Sequence, residues 1–275
     1  MADPLLERRA LLVALGVASL SACGAPSTQR SDEHEEQRVT PELITYGDDP
    51  SQVVELYRPQ GSSRGVVVVI HGGFWKSAYD LTLGQPLARS LADEGWTAWN
   101  IEYRRVGNGG GTPQTFDDVA AAIDALADVD GLDTSTVVTL GHSAGGHLAV
   151  WAAGRQDPGV AVTHAISQAG VLDLVMSERM SLGGGAAASL LGHVPGPEDA
   201  AWDPQQQIPL DVPVWCVHGI DDAIVPLGQS EGYVVDAQAA GARAEIVRVE
   251  GDHFVVIDPE SQAWTSTLEI LDSIA

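Results

Sequence analysis

A run of five aliphatic residues, VVVVI at positions 66–70, is apolar at every position and leads directly into His-Gly-Gly at 71–73. A strand with one face in water would alternate apolar and polar residues, so an uninterrupted apolar run indicates a strand buried on both faces. Strands of this kind are typical of parallel sheets that carry helices on either side. The run therefore restricts the chain to α/β architectures, and the glycines that follow allow the backbone to approach another group closely.

Strand and helix patterns alternate from about position 41 onward. The other predicted strands lie within 52–59, 96–104, 135–143, 162–170, 212–220 and 244–251. The predicted helices run from near Asp80 to a stop at Gly95, from Thr112-Pro113 onward, over 144–155 and over 258–274. This alternation predicts an α/β fold with a mostly parallel central sheet that is flanked by helices.

One segment, at about 171–209, breaks the alternation. It carries Met, Gly and Ala in loose order, including LGGGAAASLLG at 182–192. We interpret it as a small cap insertion with one or two short helices above the C-terminal edge of the sheet. Ligands in open α/β sheets bind at that edge, so the cap is expected near the functional site.

The charge of the chain is strongly acidic. It has 38 Asp and Glu against 14 Lys and Arg, a net charge of −24, and Lys76 is its single lysine. Such a surface repels phosphate backbones, which argues against a nucleic-acid partner. There is no Gly-Lys-Ser/Thr phosphate loop, and the two cysteines, Cys23 and Cys216, have no metal-binding spacing.

The N-terminus has the pattern of an export signal. Arg8 and Arg9 precede an apolar stretch at 10–22, which is shorter than the roughly 20 residues that span a bilayer. LSAC at 20–23 resembles the bacterial lipobox, which implies cleavage before Cys23 and acylation of its sulfur. The paired arginines also resemble a twin-arginine signal.

From this pattern we predict a signal peptide over 1–22, a disordered polar tether over 23–40 and a folded domain over 41–275. The protein is then exported and held at the cell envelope through a lipid on Cys23, its only contact with the membrane. The alternative is an uncleaved apolar helix at the N-terminus.

The pentapeptide GHSAG at 141–145 lies between a predicted strand and a predicted helix. Gly-x-Ser-x-Gly in this setting is typical of a nucleophilic serine on a sharp turn, with glycines where side chains would clash. We therefore predict Ser143 as a nucleophile. The alternative is a serine that caps the helix beginning near Ala144.

A serine hydroxyl needs a base, and in this arrangement an acid and then a histidine follow the serine along the chain. Asp221 and Asp222, in HGIDDAIVP at 218–226, both qualify as the acid. His253 follows the last predicted strand and qualifies as the base. His142 is a candidate substrate contact beside Ser143.

Attack by a serine places negative charge on the carbonyl oxygen of the substrate, and that charge requires backbone N–H donors. Ala144, the residue after Ser143, offers one. The glycines after VVVVI let that loop turn further N–H groups toward the oxygen, and we predict those of Gly73 and Phe74. Trp75 is a packing residue that can also serve as a substrate contact, and we include it with His142 as a candidate substrate-binding residue.

Four motifs carry a resemblance to a known family: HGGFW at 71–75, GHSAGGHLA at 141–149, HGIDDAIVP at 218–226 and GDHF at 251–254. Together they resemble the α/β-hydrolase superfamily, and more narrowly the His-Gly-Gly esterases related to hormone-sensitive lipase and to kynurenine formamidase (arylformamidase). The resemblance covers about Ser51 to the C-terminus. It favours Asp222 over Asp221, because Asp-x-x-Val-Pro follows the corresponding strand in that superfamily.

The resemblance implies a triad of Ser143, Asp222 and His253, an oxyanion hole of Gly73, Phe74 and Ala144, and neither a metal nor an organic cofactor. The substrate does not follow from the resemblance. Because the N-terminal pattern indicates export, we expect a serine hydrolase that cleaves carboxylic esters of small or acylated substrates outside the cell through an acyl-enzyme. An arylformamidase-type amide hydrolase is the main alternative, although export separates the protein from cytosolic formylkynurenine. An exopeptidase-like hydrolase and a non-catalytic binding module are further alternatives, and the natural substrate and oligomeric state stay open.

Overall fold

An eight-stranded sheet organises residues 40–274, the part of the chain that the computed structural model describes. Its strands are β1 (Glu42–Thr45), β2 (Val53–Tyr57), β3 (Val66–Ile70), β4 (Thr97–Ile101), β5 (Val137–His142), β6 (His164–Gln168), β7 (Val214–Gly219) and β8 (Ala244–Val249). Their order across the sheet is β1-β2-β4-β3-β5-β6-β7-β8. The first two pairings, β1 with β2 and β2 with β4, are antiparallel, and all the others are parallel. The predicted mostly parallel sheet is therefore confirmed.

Seven α-helices connect the strands of the described chain. They are α1 (Gln85–Asp93), α2 (Gln114–Asp124), α3 (Ala144–Ala153), α4 (Leu174–Arg179), α5 (Ala186–Leu191), α6 (Gly228–Ala239) and α7 (Gln262–Ile274). The helix predicted from near Asp80 begins later, because the Asp80 side chain instead caps a short 3₁₀ turn by accepting the N–H of Thr82 at 3.0 Å. Strand β1 and helix α6 were not predicted from the sequence.

The VVVVI run shows how the sheet is buried. Val66, Val68 and Ile70 pack into one core with residues of α2 and α3, whereas Val67 and Val69 pack into a second core with residues of α1 and α7. Both faces of β3 are thus covered by helices, which is why the run contains no polar position.

The segment predicted as a cap lies between β6 and β7 and contains α4, α5 and three short 3₁₀ turns at Leu182–Gly184, Pro197–Asp199 and Pro204–Gln207. The carbonyl of Leu190 in α5 accepts the backbone N–H of Thr112 at 2.9 Å. This contact ties the segment to the loop that precedes α2.

The predicted signal peptide, nearly all of the predicted tether and Cys23 lie outside the described residues. Within residues 40–274, no helix is both long enough and apolar enough to cross a bilayer. Cys216 is a buried free thiol on β7.

Candidate active site

The Gly-x-Ser-x-Gly pentapeptide forms a sharp turn between β5 and α3. Ser143 has φ 56° and ψ −119°, in the positive-φ region that residues other than glycine seldom adopt. A Cβ atom on Gly141 would lie 2.0 Å from the carbonyl oxygen of Gly145, and a Cβ on Gly145 would lie 2.0 Å from that of Ile70. The turn therefore requires both glycines. The Ser143 side chain makes no capping hydrogen bond to α3, so the capping alternative does not hold.

A carboxylate and an imidazole meet in the loops that follow β7 and β8. Nδ1 of His253 donates to Oδ2 of Asp222 with 2.6 Å between the atoms, and both side chains are buried. Oδ1 of Asp222 accepts the backbone N–H groups of Ile224 and Val225 at 2.8 Å each, and Nε2 of His218 lies 3.2 Å from Oδ2. These contacts fix the carboxylate in one orientation toward the imidazole.

The electrostatic surroundings keep Asp222 ionised. Burial alone would raise its pKa, but the hydrogen bonds from His218, His253 and the backbone of Val225 outweigh burial, so the pKa lies below the ordinary value. An ionised carboxylate can stabilise a protonated imidazole next to it. Asp221, the competing acid, is exposed to solvent. The structure thus pairs His253 with Asp222.

Ser143 and His253 open onto one small cleft of about 160 Å³. Its lining consists of Gly73, Phe74, Tyr79, Leu83, His142, Ser143, Ile224, His253, Phe254 and Ile257. None of these side chains carries a carboxylate, an ammonium or a guanidinium group. In the described chain, neither the Ser143 hydroxyl nor Nε2 of His253 has a hydrogen-bond partner, so both are available to a substrate. In enzymes without substrate, catalytic hydrogen bonds are often long and tighten only in the complex.

The loop after β3 has an unusual backbone. Gly73, Phe74 and Trp75 have φ values of 112°, 53° and 54°, three consecutive residues with positive φ. Within residues 40–274, the N–H groups of Gly73, Phe74 and Ala144 donate no hydrogen bond. Unengaged backbone donors at a cleft can receive a developing oxyanion.

Gly72 allows this loop to approach the nucleophile. A Cβ atom at this position would lie 2.7 Å from the carbonyl oxygen of His142 and 3.0 Å from Cβ of Ser143. Any larger residue would push the loop away from the turn. The glycines of the HGG motif therefore bring the predicted donors and the serine to the same side of the sheet edge.

A buried ionic network supports the loop from behind. Nε2 of His71 lies 3.1 Å from Oε1 of Glu102, and the His71 ring stacks on Tyr103 with 4.5 Å between centroids. Arg105 donates to the same carboxylate oxygen, and Oε2 of Glu102 accepts the N–H of Leu81 at 3.0 Å. The hydroxyl of Tyr103 donates to the carbonyl of His71 at 2.8 Å. The backbone around the HGG motif is thereby held by charged and aromatic groups from the loop after β4.

Neither Glu102 nor Arg105 was predicted from the sequence. Both are more than nine-tenths buried, which is rare for charged residues unless they are paired. The available signal was a run of polar and charged residues, EYRR at 102–105, placed directly after a strand that is buried on both faces.

His142 lines the cleft, as expected for a substrate contact. Its Nε2 donates to the carbonyl oxygen of His253 at 2.9 Å, and the two rings lie 4.5 Å apart. Burial, and then the proximity of His253, lower the pKa of His142 to about 3. The ring is therefore neutral at physiological pH and ties the serine turn to the loop that carries His253.

The structure corrects the prediction of a substrate contact for Trp75. This residue is completely buried, and its ring packs edge-on against His147 at 5.1 Å. Its carbonyl oxygen accepts the N–H of Val106 at 2.8 Å, and the positive φ directs the indole into the core. Tyr79 and Phe254, which the sequence analysis did not identify, line the cleft instead.

Two other features lie apart from the cleft. His193, Glu198 and Asp199 have ligand atoms within 4.8 Å of one another, but Asp199 already accepts from His193 and from the N–H of Gly196. A larger groove of about 820 Å³ lies near the C-terminal end of α3 and contains none of the predicted site residues.

Known proteins resemble this chain in sequence. A model of the BD-FAE family matches residues 54–234. Esterase LipC of Mycobacterium tuberculosis is 34% identical over 115 residues, which cover 40% of this chain and 28% of that protein. The probable isoprenylcysteine alpha-carbonyl methylesterase ICME of Oryza sativa is 27% identical over 240 residues, covering 76% of this chain and 56% of the relative. The chain therefore spans about half or less of the length of these relatives.

Solved structures share the fold. The esterase Est2 of Thermogutta terrifontis, solved with bound propionate, is 25% identical, with a TM-score of 0.70 over 86% of this chain and 94% of that one. The predicted α/β-hydrolase fold and the resemblance to esterases of that superfamily are thus confirmed. Because the family model covers 181 of the 275 positions, the chain belongs to the BD-FAE family.

Proposed function

We propose that the protein is a serine esterase that hydrolyses carboxylic esters with short, uncharged acyl groups through an acyl-enzyme. One observation carries the proposal: His253, paired with the buried Asp222, lines the same small cleft as Ser143 and as Gly73 and Phe74, whose N–H groups are unengaged. The esterase relatives and the esterase of similar fold support the same reaction class.

The first half of the reaction forms the acyl-enzyme. Oγ of Ser143 attacks the ester carbonyl carbon while its proton passes to Nε2 of His253. The carbonyl oxygen becomes an oxyanion, which accepts hydrogen bonds from the N–H groups of Gly73, Phe74 and Ala144. The bond to the alcohol oxygen then breaks, and the imidazolium returns its proton to the leaving alkoxide.

The second half releases the acid. Water gives its proton to His253 and attacks the acyl carbon, and the Ser143 oxygen leaves as the imidazolium reprotonates it. Throughout, Asp222 holds Nδ1–H of the imidazole and stabilises the positive ring. Neutral His142 adds no second positive charge beside that ring.

The size and lining of the cleft favour a small, uncharged acyl group. Its volume is about 160 Å³, most of its walls are apolar, and no charged side chain lines it. The net charge of −24 further disfavours anionic substrates. The T. terrifontis esterase was solved with bound propionate, a short-chain carboxylate.

A substrate panel tests the proposal. We expect rapid hydrolysis of p-nitrophenyl acetate and butyrate, weaker hydrolysis of the decanoate, and labelling of Ser143 by a fluorophosphonate probe. Formylkynurenine and peptide anilides, tested in parallel, examine the amide-hydrolase alternatives. Faster turnover of formylkynurenine than of any ester, or labelling of another residue with activity retained, would contradict the proposal.

We also propose that the protein is exported and lipid-anchored through Cys23. The lipobox-like LSAC supports this, and a surface this acidic would be repelled by anionic lipids and needs a covalent chain to stay at a membrane. Expression in a bacterium followed by detergent phase partition tests it. We expect the wild type in the detergent phase and Cys23→Ala in the aqueous phase, and equal partition of the two proteins would refute the anchor.

A further inference from the structure

We propose that Lys76 is a positioning residue that fastens the oxyanion loop to the segment between β6 and β7, and that this fastening keeps the acyl side of the cleft narrow. The proposal rests on the proposed esterase function and adds a determinant of substrate size. Its parts are Lys76, Phe74 and Gly183, which we call the latch.

The latch consists of three contacts, one between each pair of its three residues. Nζ of Lys76 donates to the carbonyl oxygen of Gly183 at 2.7 Å. A Cβ atom on Gly183 would lie 2.5 Å from the ring of Phe74, so the ring packs directly on the bare backbone there. Nζ also lies 5.9 Å from the centroid of the Phe74 ring, within the range of a cation–π contact.

Phe74 needs such support because of its backbone. Its φ of 53° lies in the left-handed region, which is strained for a residue other than glycine. Trp75, with a φ of 54°, is held by complete burial in the core. Phe74 is only partly buried and packs against the core, and its contacts with Lys76 and Gly183 add to that support.

The loop at 183–185, which Lys76 and Phe74 contact, also needs an anchor. Gly183, Gly184 and Gly185 have φ values of 59°, 72° and 79°, a conformation that glycine adopts with little strain. Three consecutive glycines carry no side chains that could fix the loop by packing. Backbone hydrogen bonds at Gly184 and Gly185 hold the loop to its own segment. The hydrogen bond from Lys76, the single lysine of the chain, links it to the oxyanion loop.

The consequence for specificity follows from the position of Phe74. Its ring lines the cleft beside Ser143, whereas no residue of 171–209 does so. The segment therefore acts on the cleft through Phe74. If the latch opens, the ring can move toward the freed glycine loop, and the cleft can accept a longer acyl chain.

Two substitutions at Lys76 test this directly. Lys76→Met removes the donor and keeps the aliphatic stem, whereas Lys76→Arg keeps a cationic donor. Arg58→Gln serves as the matched control, because it also removes one positive charge but at an exposed pair with Glu42, away from the cleft. For each protein, kcat and KM are measured on p-nitrophenyl esters from acetyl to decanoyl.

We expect Lys76→Met to raise the ratio of kcat/KM for the decanoyl ester to that for the acetyl ester about tenfold, the scale of one misfitting methylene in a pocket. The rise should come from a lower KM for long chains, and any loss of kcat through displaced N–H donors should be the same for the acetyl and decanoyl esters. Lys76→Arg and Arg58→Gln should keep the wild-type ratio. An unchanged ratio in Lys76→Met would overturn the latch, and so would an equal loss of kcat/KM for esters of every chain length.

Chemical modification offers an independent route, because only Lys76 and the N-terminal amine can react as amines. Acetylation with N-hydroxysuccinimidyl acetate should shift the wild-type ratio as Lys76→Met does. Lys76→Arg treated in the same way should not change, since it retains only the N-terminal amine. A parallel shift in both proteins would assign the effect to another group and overturn the latch.

A measurement without substrate separates the latch from the esterase proposal. Hydrogen exchange followed by mass spectrometry should be faster at positions 182–186 in Lys76→Met than in the wild type and Lys76→Arg. If the wild type hydrolyses no ester, the esterase function fails, and exchange alone decides the latch. Equal exchange in all three proteins would overturn it.

Discussion

The serine turn and the oxyanion loop lie side by side at the edge of the sheet, but they are stabilised in different ways. The turn at 141–146 is shaped mainly by glycines within and beside it, whose missing side chains allow close backbone contacts. The loop at 71–76 is held by residues far away in the sequence: Glu102 and Arg105 from behind, and Gly183 from the side. A local motif therefore predicts the turn, whereas the loop depends on tertiary contacts that no short motif contains.

Removing the nucleophile should have the largest effect. We expect Ser143→Ala to lower kcat by about 10⁶-fold, the scale seen when a serine nucleophile is removed from a triad. Its circular dichroism should not change, because the backbone of the turn depends on the glycines rather than on the hydroxyl. Ser167→Ala, which removes a buried hydroxyl on β6, is the control and should keep its activity. Substantial ester hydrolysis by Ser143→Ala would place the chemistry elsewhere.

Substitutions at the two candidate acids, Asp222 and Asp221, test whether the partners of Ser143 are assigned correctly. Asp222→Asn should lower kcat by about 10⁴-fold, because the amide no longer holds the required tautomer of His253 or stabilises the imidazolium. Asp221→Asn changes an exposed side chain one residue away and should remain within twofold of the wild type. Steady-state kinetics on one short ester compares the two variants, and a larger loss for Asp221→Asn would reverse the assignment.

The same contrast explains how far the sequence could predict the structure. Uniformly apolar runs identified the buried strands, and GHSAG located the turn, because these signals are local. Strand β1 was missed because it is short and mostly exposed, and α6 because it contains Gly228 and Gly232 and lacks a clear apolar stripe. The motif could not decide whether Trp75 packs in the core or contacts the substrate. Its indole points into the core because the backbone there has a positive φ, a conformation that tertiary hydrogen bonds support.

Breaking the support of the oxyanion loop should have an intermediate effect. In Glu102→Gln, one carbonyl and one amide replace two carboxylate oxygens that accept from His71, Arg105 and the N–H of Leu81. The loop should shift and misplace its donors, and a displacement of about 1 Å can cost about 10²-fold in kcat. We expect KM to change much less.

A matched variant separates this effect from general destabilisation. Asp118→Asn weakens another buried ion pair, with Arg104 at 2.7 Å, outside the cleft lining. Both variants should lower the midpoint of urea unfolding, but only Glu102→Gln should lower kcat at temperatures where both are folded. Equal losses of kcat would show that the network acts through stability alone.

The smallest effect concerns His147, whose ring joins the two regions. It lies on α3, packs against Trp75 of the oxyanion loop at 5.1 Å, and Nε2 donates to the carbonyl oxygen of Trp202 at 2.8 Å. Complete burial lowers its pKa to about 4. As the pH falls from 7 toward 4, the unfolded chain therefore takes up this proton first, and the folded state loses stability.

The variant His147→Gln isolates this contribution, because its amide can still donate to Trp202 but does not titrate. Between pH 7 and pH 4.5, the wild type should lose about 2 kcal/mol more free energy of unfolding than the variant, measured by urea denaturation. Asp203 acts in the opposite direction, since burial raises its pKa to about 6 and the folded state then takes up its proton first. Asp203 is present in both proteins, so its contribution cancels in the difference. A parallel loss in the two proteins would show that His147 does not titrate as a buried neutral ring, and that the contact between the serine turn and the oxyanion loop is insensitive to acid.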